Sequence, residues 1–360
     1  MTQRRMIIVE DDWFTRMFQV LLDPACDPVR IAAFADFFAH DLPDFEGYCS
    51  TIRKSAPSVF PASIRLVSDI AAMYHALPDA HALIVESFIV SAEDLAHAPN
   101  LRLIQKFGSS SRGIDIEACE RRKIPVLTID RKSTAACAEM VIAFMLVLGK
   151  QITRWAGHIS VSRMESAGKT FRPFDRRHTA NSNWARIPGF QVIAGSKVGI
   201  IGVGEIGKQV VRRLSGFGSQ LFYHQRTRLP LAEELAFCLT YNDLNTLLRE
   251  CDWIILTLRS DTDVRTCLLG PRELALLKKG AFLINISRAD FIDRAALIDI
   301  LRKERLGGFA LDTQYETPGS SDDELLSFPN VVLTPHIAAQ PRTNVLSDLQ
   351  HMVADIQKYW

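Results

Sequence analysis

The chain has almost no charge bias: 42 Lys and Arg face 41 Asp and Glu, a formal charge of +1. That balance gives no electrostatic pull on nucleic acid or an anionic membrane, so neither is an expected partner. Paired cysteines are also missing. Seven stand scattered at positions 26, 49, 119, 137, 238, 251 and 267, without metal-ligand spacing. This argues against a disulfide framework and against a metal site, and for reduced thiols in the cytoplasm. A long hydrophobic run is lacking too. The most apolar stretch, 140–148, is about half a membrane span and reads as a buried helix. The opening Met1-Thr2-Gln3-Arg4-Arg5 leads only to a short apolar strand and Glu10-Asp11-Asp12, which is not a secretory-signal pattern. What is present is 360 residues, 48% of them hydrophobic, enough for a soluble protein of two domains.

Short apolar runs alternate with amphipathic stretches, the rhythm of parallel sheets in an α/β protein. Strands are expected at 6–9, 64–67, 82–85, 101–105 and 124–127, then a helix over 133–155. A second series is expected at 197–202, 220–223, 253–256, 281–286, 308–311 and 331–333, closed by a helix over 342–359. Two stretches break the rhythm. Residues 23–62 carry five prolines and many aromatics, and 157–190 are basic and polar. Both read as loop-rich elaborations.

The sharpest motif is Gly202-Val203-Gly204-Glu205-Ile206-Gly207, running out of the apolar Val198-Gly199-Ile200-Ile201. A strand feeding Gly-x-Gly-x-x-Gly and then an amphipathic helix is the dinucleotide-binding arrangement. Gly202 permits the tight turn, Gly204 lets backbone approach a pyrophosphate, and Gly207 lets the helix sit on the sheet. The helix start, with Glu205 and Ile206, offers free N–H groups to phosphate. The next strand ends at His224 and Gln225, where the unit presents its ribose-reading side chain.

Further blocks carry a resemblance. They are Leu101-Arg102-Leu103-Ile104-Gln105-Lys106-Phe107-Gly108 through Gly113-Ile114-Asp115, Ala138-Glu139, Ile284-Asn285-Ile286-Ser287-Arg288, Ala310-Leu311-Asp312 and Thr334-Pro335-His336-Ile337-Ala338-Ala339. In this order and spacing the chain resembles the D-2-hydroxyacid dehydrogenases, a family that includes phosphoglycerate dehydrogenases, glyoxylate/hydroxypyruvate reductases and formate dehydrogenases. The resemblance runs from about residue 101 onward and is weak before it. It implies two Rossmann-like domains with doubly wound parallel sheets. One is a discontinuous, flavodoxin-like substrate domain, 1–132 plus 336–360. The other is a dinucleotide-binding domain, 133–335, with the active site in the cleft between them. It also implies a cytoplasmic homodimer that moves hydride between a nicotinamide cofactor and a small 2-oxo or 2-hydroxy acid.

By the same resemblance, Arg288 grips the substrate and His336 gives and takes the proton, a task suited to a group that titrates near neutral pH. Ser109, Ser110 and Arg112 belong to the loop that meets the substrate carboxylate, where Arg112 replaces a commonly acidic residue. Ile286, Ser287, Asp312 and Ala338 line the cofactor. The carboxylate that orients the histidine falls on Thr317, with Glu316 one residue early, so either Glu316 reaches His336 or the histidine works without one. Relatives using NAD place Asp at the ribose position. Here Gln225, with Arg226 and Arg228, favours NADP(H) over NAD, because a carboxylate repels a 2′-phosphate and arginines attract one. The rival reading is a nucleotide-sensing, co-repressor-like regulator on the same scaffold.

Overall fold

The computed structural model describes residues 5–173, 175–258 and 267–360. Residues 1–4, part of the opening read against a signal peptide, lie outside them. The chain forms two compact units, Met1–Ala135 with Ala339–Trp360, and Ala136–Ala338.

The first unit holds a five-stranded sheet of β1 (Met6–Glu10), β2 (Ser63–Val67), β3 (Ala80–Val85), β4 (Leu103–Lys106) and β5 (Val126–Leu127), in the order β2-β1-β3-β4-β5. All pairings are parallel. This is the flavodoxin-like order. Strand β4 is buried throughout and β1 almost so, as expected of a parallel sheet covered on both faces.

The second unit holds seven strands: β6 (Lys197–Ile201), β7 (Gln220–His224), β8 (Leu239–Tyr241), β9 (Trp253–Leu256), β10 (Ala281–Asn285), β11 (Leu306–Leu311) and β12 (Val331–Leu333). Their order is β12-β11-β10-β9-β6-β7-β8, again all parallel. The order reverses between β6 and β9, the switch point beside which an open α/β sheet binds its ligand. The α/β class and the parallel sheets expected from the sequence are therefore observed.

Three expectations need correction. Residues 23–62 are not mainly loop. They hold helices Pro28–Phe38 and Phe45–Ser55, capped by the carboxylates of Asp27 and Asp44, which accept from the N–H groups of Val29 and Gly47. Phe38, Phe45, Cys49 and Ile52 are buried in the core. Each large apolar side chain so buried contributes roughly 1.5–3 kcal/mol, so these helices are part of the core. The helix expected over 133–155 stops at Gly149 and resumes as Ile152–Trp155. Gln151 between them sits in the left-handed region at φ 51°, which ends the helical ladder. The helix Lys132–Gly149 is also not buried all round, although it is long and apolar enough to cross a membrane by length and composition. Ala138, Val141, Phe144, Met145 and Leu148 enter the core while Leu146 is exposed. Residues 157–190 hold the short helix Val161–Ser166 and otherwise irregular backbone among the described residues.

The helix Thr343–Tyr359 completes the core of the first unit with Val345, Leu346, Leu349, Met352, Val353 and Ile356. Its Asp348 is fully buried, and its carboxylate accepts from the N–H of Lys132 at 3.0 Å. That contact caps the helix beginning at Lys132. Burial pushes the Asp348 carboxyl above its ordinary range.

Candidate active site

In the second unit the glycine turn has the geometry its residues require. Gly202 adopts φ 93°, which an L side chain rarely takes. A Cβ on Gly207 would stand 2.4 Å from the Gly202 carbonyl oxygen, so the contact of helix on turn is open only to glycine. A Cβ on Gly204 would meet nothing within 4 Å. The helix Glu205–Ser215 starts there with no side-chain cap. Its first N–H groups and the open space at Gly204 fit a dinucleotide pyrophosphate. Val210, Val211 and Leu214 hold the helix on the sheet, Ile206 is half-buried beside them, and the Thr257 hydroxyl donates to the Gly202 carbonyl.

The ribose end differs from the sequence expectation. Gln225 is engaged within the protein: its Oε1 accepts from the Val203 N–H at 3.0 Å and its Nε2 donates to the Thr227 carbonyl at 2.7 Å. It ties the glycine turn to the following loop. Arg228 is exposed but paired. Its Nε and Nη2 donate to the two carboxylate oxygens of Glu234, both at 2.8 Å. Glu234 is buried and also accepts from the Tyr223 hydroxyl, which in turn accepts from the Leu229 N–H. Bidentate pairing neutralises Arg228 where it stands. Arg226 is exposed and forms no hydrogen bond or ion pair within the described residues.

The Arg228 guanidinium, with the Tyr223 hydroxyl, holds the Glu234 carboxyl down to about 2 from its ordinary 4.5. A depressed carboxyl stabilises the fold above its unfolded value, and that contribution is lost as pH falls from about 4.5 toward about 2. Glu234→Gln is therefore expected to lower Tm at neutral pH, with the difference from wild type clearly narrower by about pH 3. Thermal melts at both pH values check this; a gap that does not narrow removes the ion pair as its cause.

Arg288 and His336 follow β10 and β12, three residues beyond each strand. Strand β11 lies between, which sets the two strand axes roughly 10 Å apart at the same edge of the sheet. Arg288 is exposed, and its Nη1 donates to the Ser287 carbonyl at 3.0 Å. The turn that carries it is fixed by Asn285, fully buried at the end of β10. Asn285 Nδ2 donates to the Arg288 carbonyl at 2.8 Å, and its Oδ1 accepts from the Ser287 N–H at 2.8 Å. Ile286 and Ser287 are buried in this turn.

His336 is exposed, with backbone at φ 57°. Its ring makes no hydrogen bond or ion pair with any described residue, and this includes both Glu316 and Thr317, which are exposed. Of the two alternatives read from the sequence, the geometry matches the one in which the histidine has no paired carboxylate among the described residues. Instead the preceding Tyr315 is anchored to the Ile292 carbonyl and Gln314 to the Thr334 carbonyl. Asp312 was expected to line the cofactor, but both its oxygens serve the His336 loop: they accept from the Thr334 hydroxyl and from the N–H groups of Ile337 and Ala338.

In the first unit, the loop after β4 is pinned at both ends. The Gly108 carbonyl accepts from Ile129 N–H and the Gly113 carbonyl from Val90 N–H. Between them Ser109, Ser110 and Arg112 are exposed, and Gly113 turns at φ 90°. The Arg112 N–H donates to the Ser110 hydroxyl. The loop is a short, pinned stretch bearing hydroxyls and a cation, able to meet an anion. Among the described residues no group of His, Cys, Asp and Glu could hold a metal ion.

The sequence reading missed Asn285, Thr257, Tyr223 and Glu234. Asn285 carried a signal, being a polar residue closing an otherwise apolar buried strand. Glu234 carried none, since a glutamate on an amphipathic helix reads as surface.

Comparison with known proteins agrees with this arrangement. The family model described as "D-isomer specific 2-hydroxyacid dehydrogenase, NAD binding domain" matches residues 161–338. The chain is 32% identical over 250 residues to the glyoxylate reductase of Thermococcus litoralis, covering 69% of this chain and 71% of that one. It is 30% identical over 250 residues to the glyoxylate reductase of Pyrococcus horikoshii, covering 69% and 70%. Among solved structures, the D-mandelate dehydrogenase of Rhodotorula graminis shares the fold at a TM-score of 0.56 and 18% identity, over 99% of this chain and 94% of that one. The D-lactate dehydrogenase of Aquifex aeolicus, complexed with NAD and lactic acid, does so at 0.51 and 20%, over 98% and 94%. With a dinucleotide turn, a sheet of seven parallel strands and relatives at this level of identity, the chain belongs to the D-isomer specific 2-hydroxyacid dehydrogenase family.

Proposed function

We propose that the protein is an NADPH-preferring reductase of a small 2-oxo acid, with the second unit as its dinucleotide domain and the first as its substrate domain. The observation that carries the reading is the pair of exposed side chains, Arg288 and His336, at one edge of the second sheet, each on a turn fixed by a buried polar residue. A surface arginine needs no Asn285 beneath it, and a surface histidine needs no buried carboxylate behind its loop. Arg288 presents a planar fork that suits the carboxylate and ketone oxygens of a 2-oxo acid together. His336 supplies the proton as the alkoxide forms and takes it back in oxidation. When bound, the nicotinamide supplies or accepts the hydride. A panel of glyoxylate, hydroxypyruvate and phenylpyruvate with NADPH and with NADH tests the reading. Turnover establishes a reductase; dinucleotide binding without turnover favours the regulatory reading.

The NADPH preference rests on the absence of a carboxylate at Gln225 and on the unpaired Arg226. Gln225→Asp with Arg226→Ala is expected to move preference toward NADH by about ten- to a hundredfold in kcat/KM, since a charge-assisted contact is worth roughly 1.5–3 kcal/mol. Wild type using NADH better than NADPH would overturn the preference. Arg228→Ala should shift preference less, because Glu234 already holds that side chain. We also read the chain as a cytoplasmic homodimer. The exposed Leu146, Ile152 and Ile159 on one continuous stretch support self-association, and the molar mass from light scattering decides it.

A further inference from the structure

We infer that Asp312 is the positioning residue for His336, setting the direction of the imidazole through the backbone instead of through the ring. The inference rests on the role given to His336 above. An imidazole in an acid–base site is commonly aimed by a carboxylate on its second nitrogen. Here the His336 ring has no such partner within the described residues. What remains to aim it is its own backbone, and Asp312 grips that backbone from both sides. Asp312 is 1% exposed, directly after β11. Its Oδ1 accepts from the Thr334 hydroxyl at 2.6 Å and from the Ile337 N–H at 2.9 Å. Its Oδ2 accepts from the Ala338 N–H at 2.8 Å, and its main-chain carbonyl accepts from the His336 N–H at 2.8 Å. Four donors from residues 334 to 338 thus converge on one aspartate.

The grip has a cause in the backbone. His336 sits at φ 57°, a left-handed conformation disfavoured for a side chain other than glycine. Such a residue persists only where its surroundings over-determine it. A charged acceptor receiving two N–H groups and a hydroxyl is a stronger tether than neutral hydrogen bonds would be. Relaxing it lets residue 336 return toward right-handed or extended backbone and carries the imidazole away from its present direction.

The test compares Asp312→Asn and the milder Thr334→Val with wild type, each alone and combined with His336→Gln, on the panel acid reduced fastest. Asp312→Asn keeps the shape but replaces an acceptor by an amide that faces an N–H. It is expected to lower kcat about ten- to a hundredfold, as a misplaced catalytic group does. Thr334→Val should lower it about three- to tenfold. NADPH affinity, read by fluorescence, should hold in both. In the His336→Gln background Asp312→Asn should cost less than about twofold, because the group it positions is gone. An equal loss in both backgrounds overturns the inference, as does weakened NADPH binding at unchanged kcat, which would make Asp312 a cofactor contact. Because His336→Gln alone tests the role of the histidine, failure of that reading is seen separately. Independent of turnover, the imidazole NMR signals of His336, assigned by their loss in His336→Gln, should move in Asp312→Asn; signals that stay fixed overturn the inference.

Discussion

Replacing His336 with glutamine is expected to lower kcat/KM for reduction of a 2-oxo acid about a hundred- to ten-thousandfold, the range general acid–base catalysis supplies. Glutamine fills similar space and still offers a hydrogen bond, but it cannot deliver a proton. The ring is exposed and makes no hydrogen bond or ion pair with any described residue, so the fold and the affinity for the nicotinamide dinucleotide should be kept. The pH profile gives the sign. On the proposed role, reduction draws on the protonated imidazole and oxidation on the neutral one, so the two directions should respond to pH with opposite sign. Both limbs should flatten in His336→Gln. Rates measured in both directions across pH check this, and a variant that keeps the wild-type limbs would show that another group moves the proton.

Arg288→Ala is expected to cost a comparable amount, about a hundred- to ten-thousandfold in kcat/KM for the oxo acid. Two charge-assisted bonds are lost, each worth roughly 1.5–3 kcal/mol. On the proposed role, in which one guanidinium holds the ground-state carboxylate and polarises the ketone, the loss should divide between a raised KM and a lowered kcat. Arg288→Lys keeps the charge without the fork and should recover only part of the loss. Affinity for the nicotinamide dinucleotide should barely move in either variant. Asn285 holds the main chain of this turn, so the turn should keep its shape, although Arg288→Ala also removes the Nη1 bond to the Ser287 carbonyl. Steady-state kinetics on both variants, with circular dichroism for the fold, decide the point. An unchanged kcat/KM removes Arg288 from the site.

Much of this was legible in the sequence because parallel strands buried on both faces leave continuous apolar runs. Trp253–Leu256 and Ala281–Asn285 fall where those runs predict them. The three-residue β8 was missed, since Leu239–Tyr241 is too short to show a period. The helices between 28 and 55 were missed for a different reason. Their prolines were counted as breakers, yet Pro28 stands at the first helical turn behind Asp27, where its fixed φ and missing N–H suit the helix. At the site, motif residues could be placed one by one, but what each side chain binds could not. Arg228 reads as a free cation until Glu234, six residues on, is seen to accept from its Nε and Nη2. Asp312 reads as a ligand contact until the donors of a loop more than twenty residues later close around it. Such pairings are set by tertiary structure, to which local spacing is blind.

The helix Thr343–Tyr359 also has a consequence for the order of assembly on the ribosome. The second unit is made from one uninterrupted stretch, Ala136–Ala338, so all its strands are synthesised before the last helix. The first unit, begun earlier, must wait for that helix, because Leu349, Met352, Val353 and Ile356 fill its core and Asp348 caps the helix starting at Lys132. Domains generally fold as units in the order in which they emerge, and here that order is inverted. The part of the chain translated first is the last to close. During synthesis its nascent sheet stays without one cover, and that interval is when the growing chain most needs protection from aggregation.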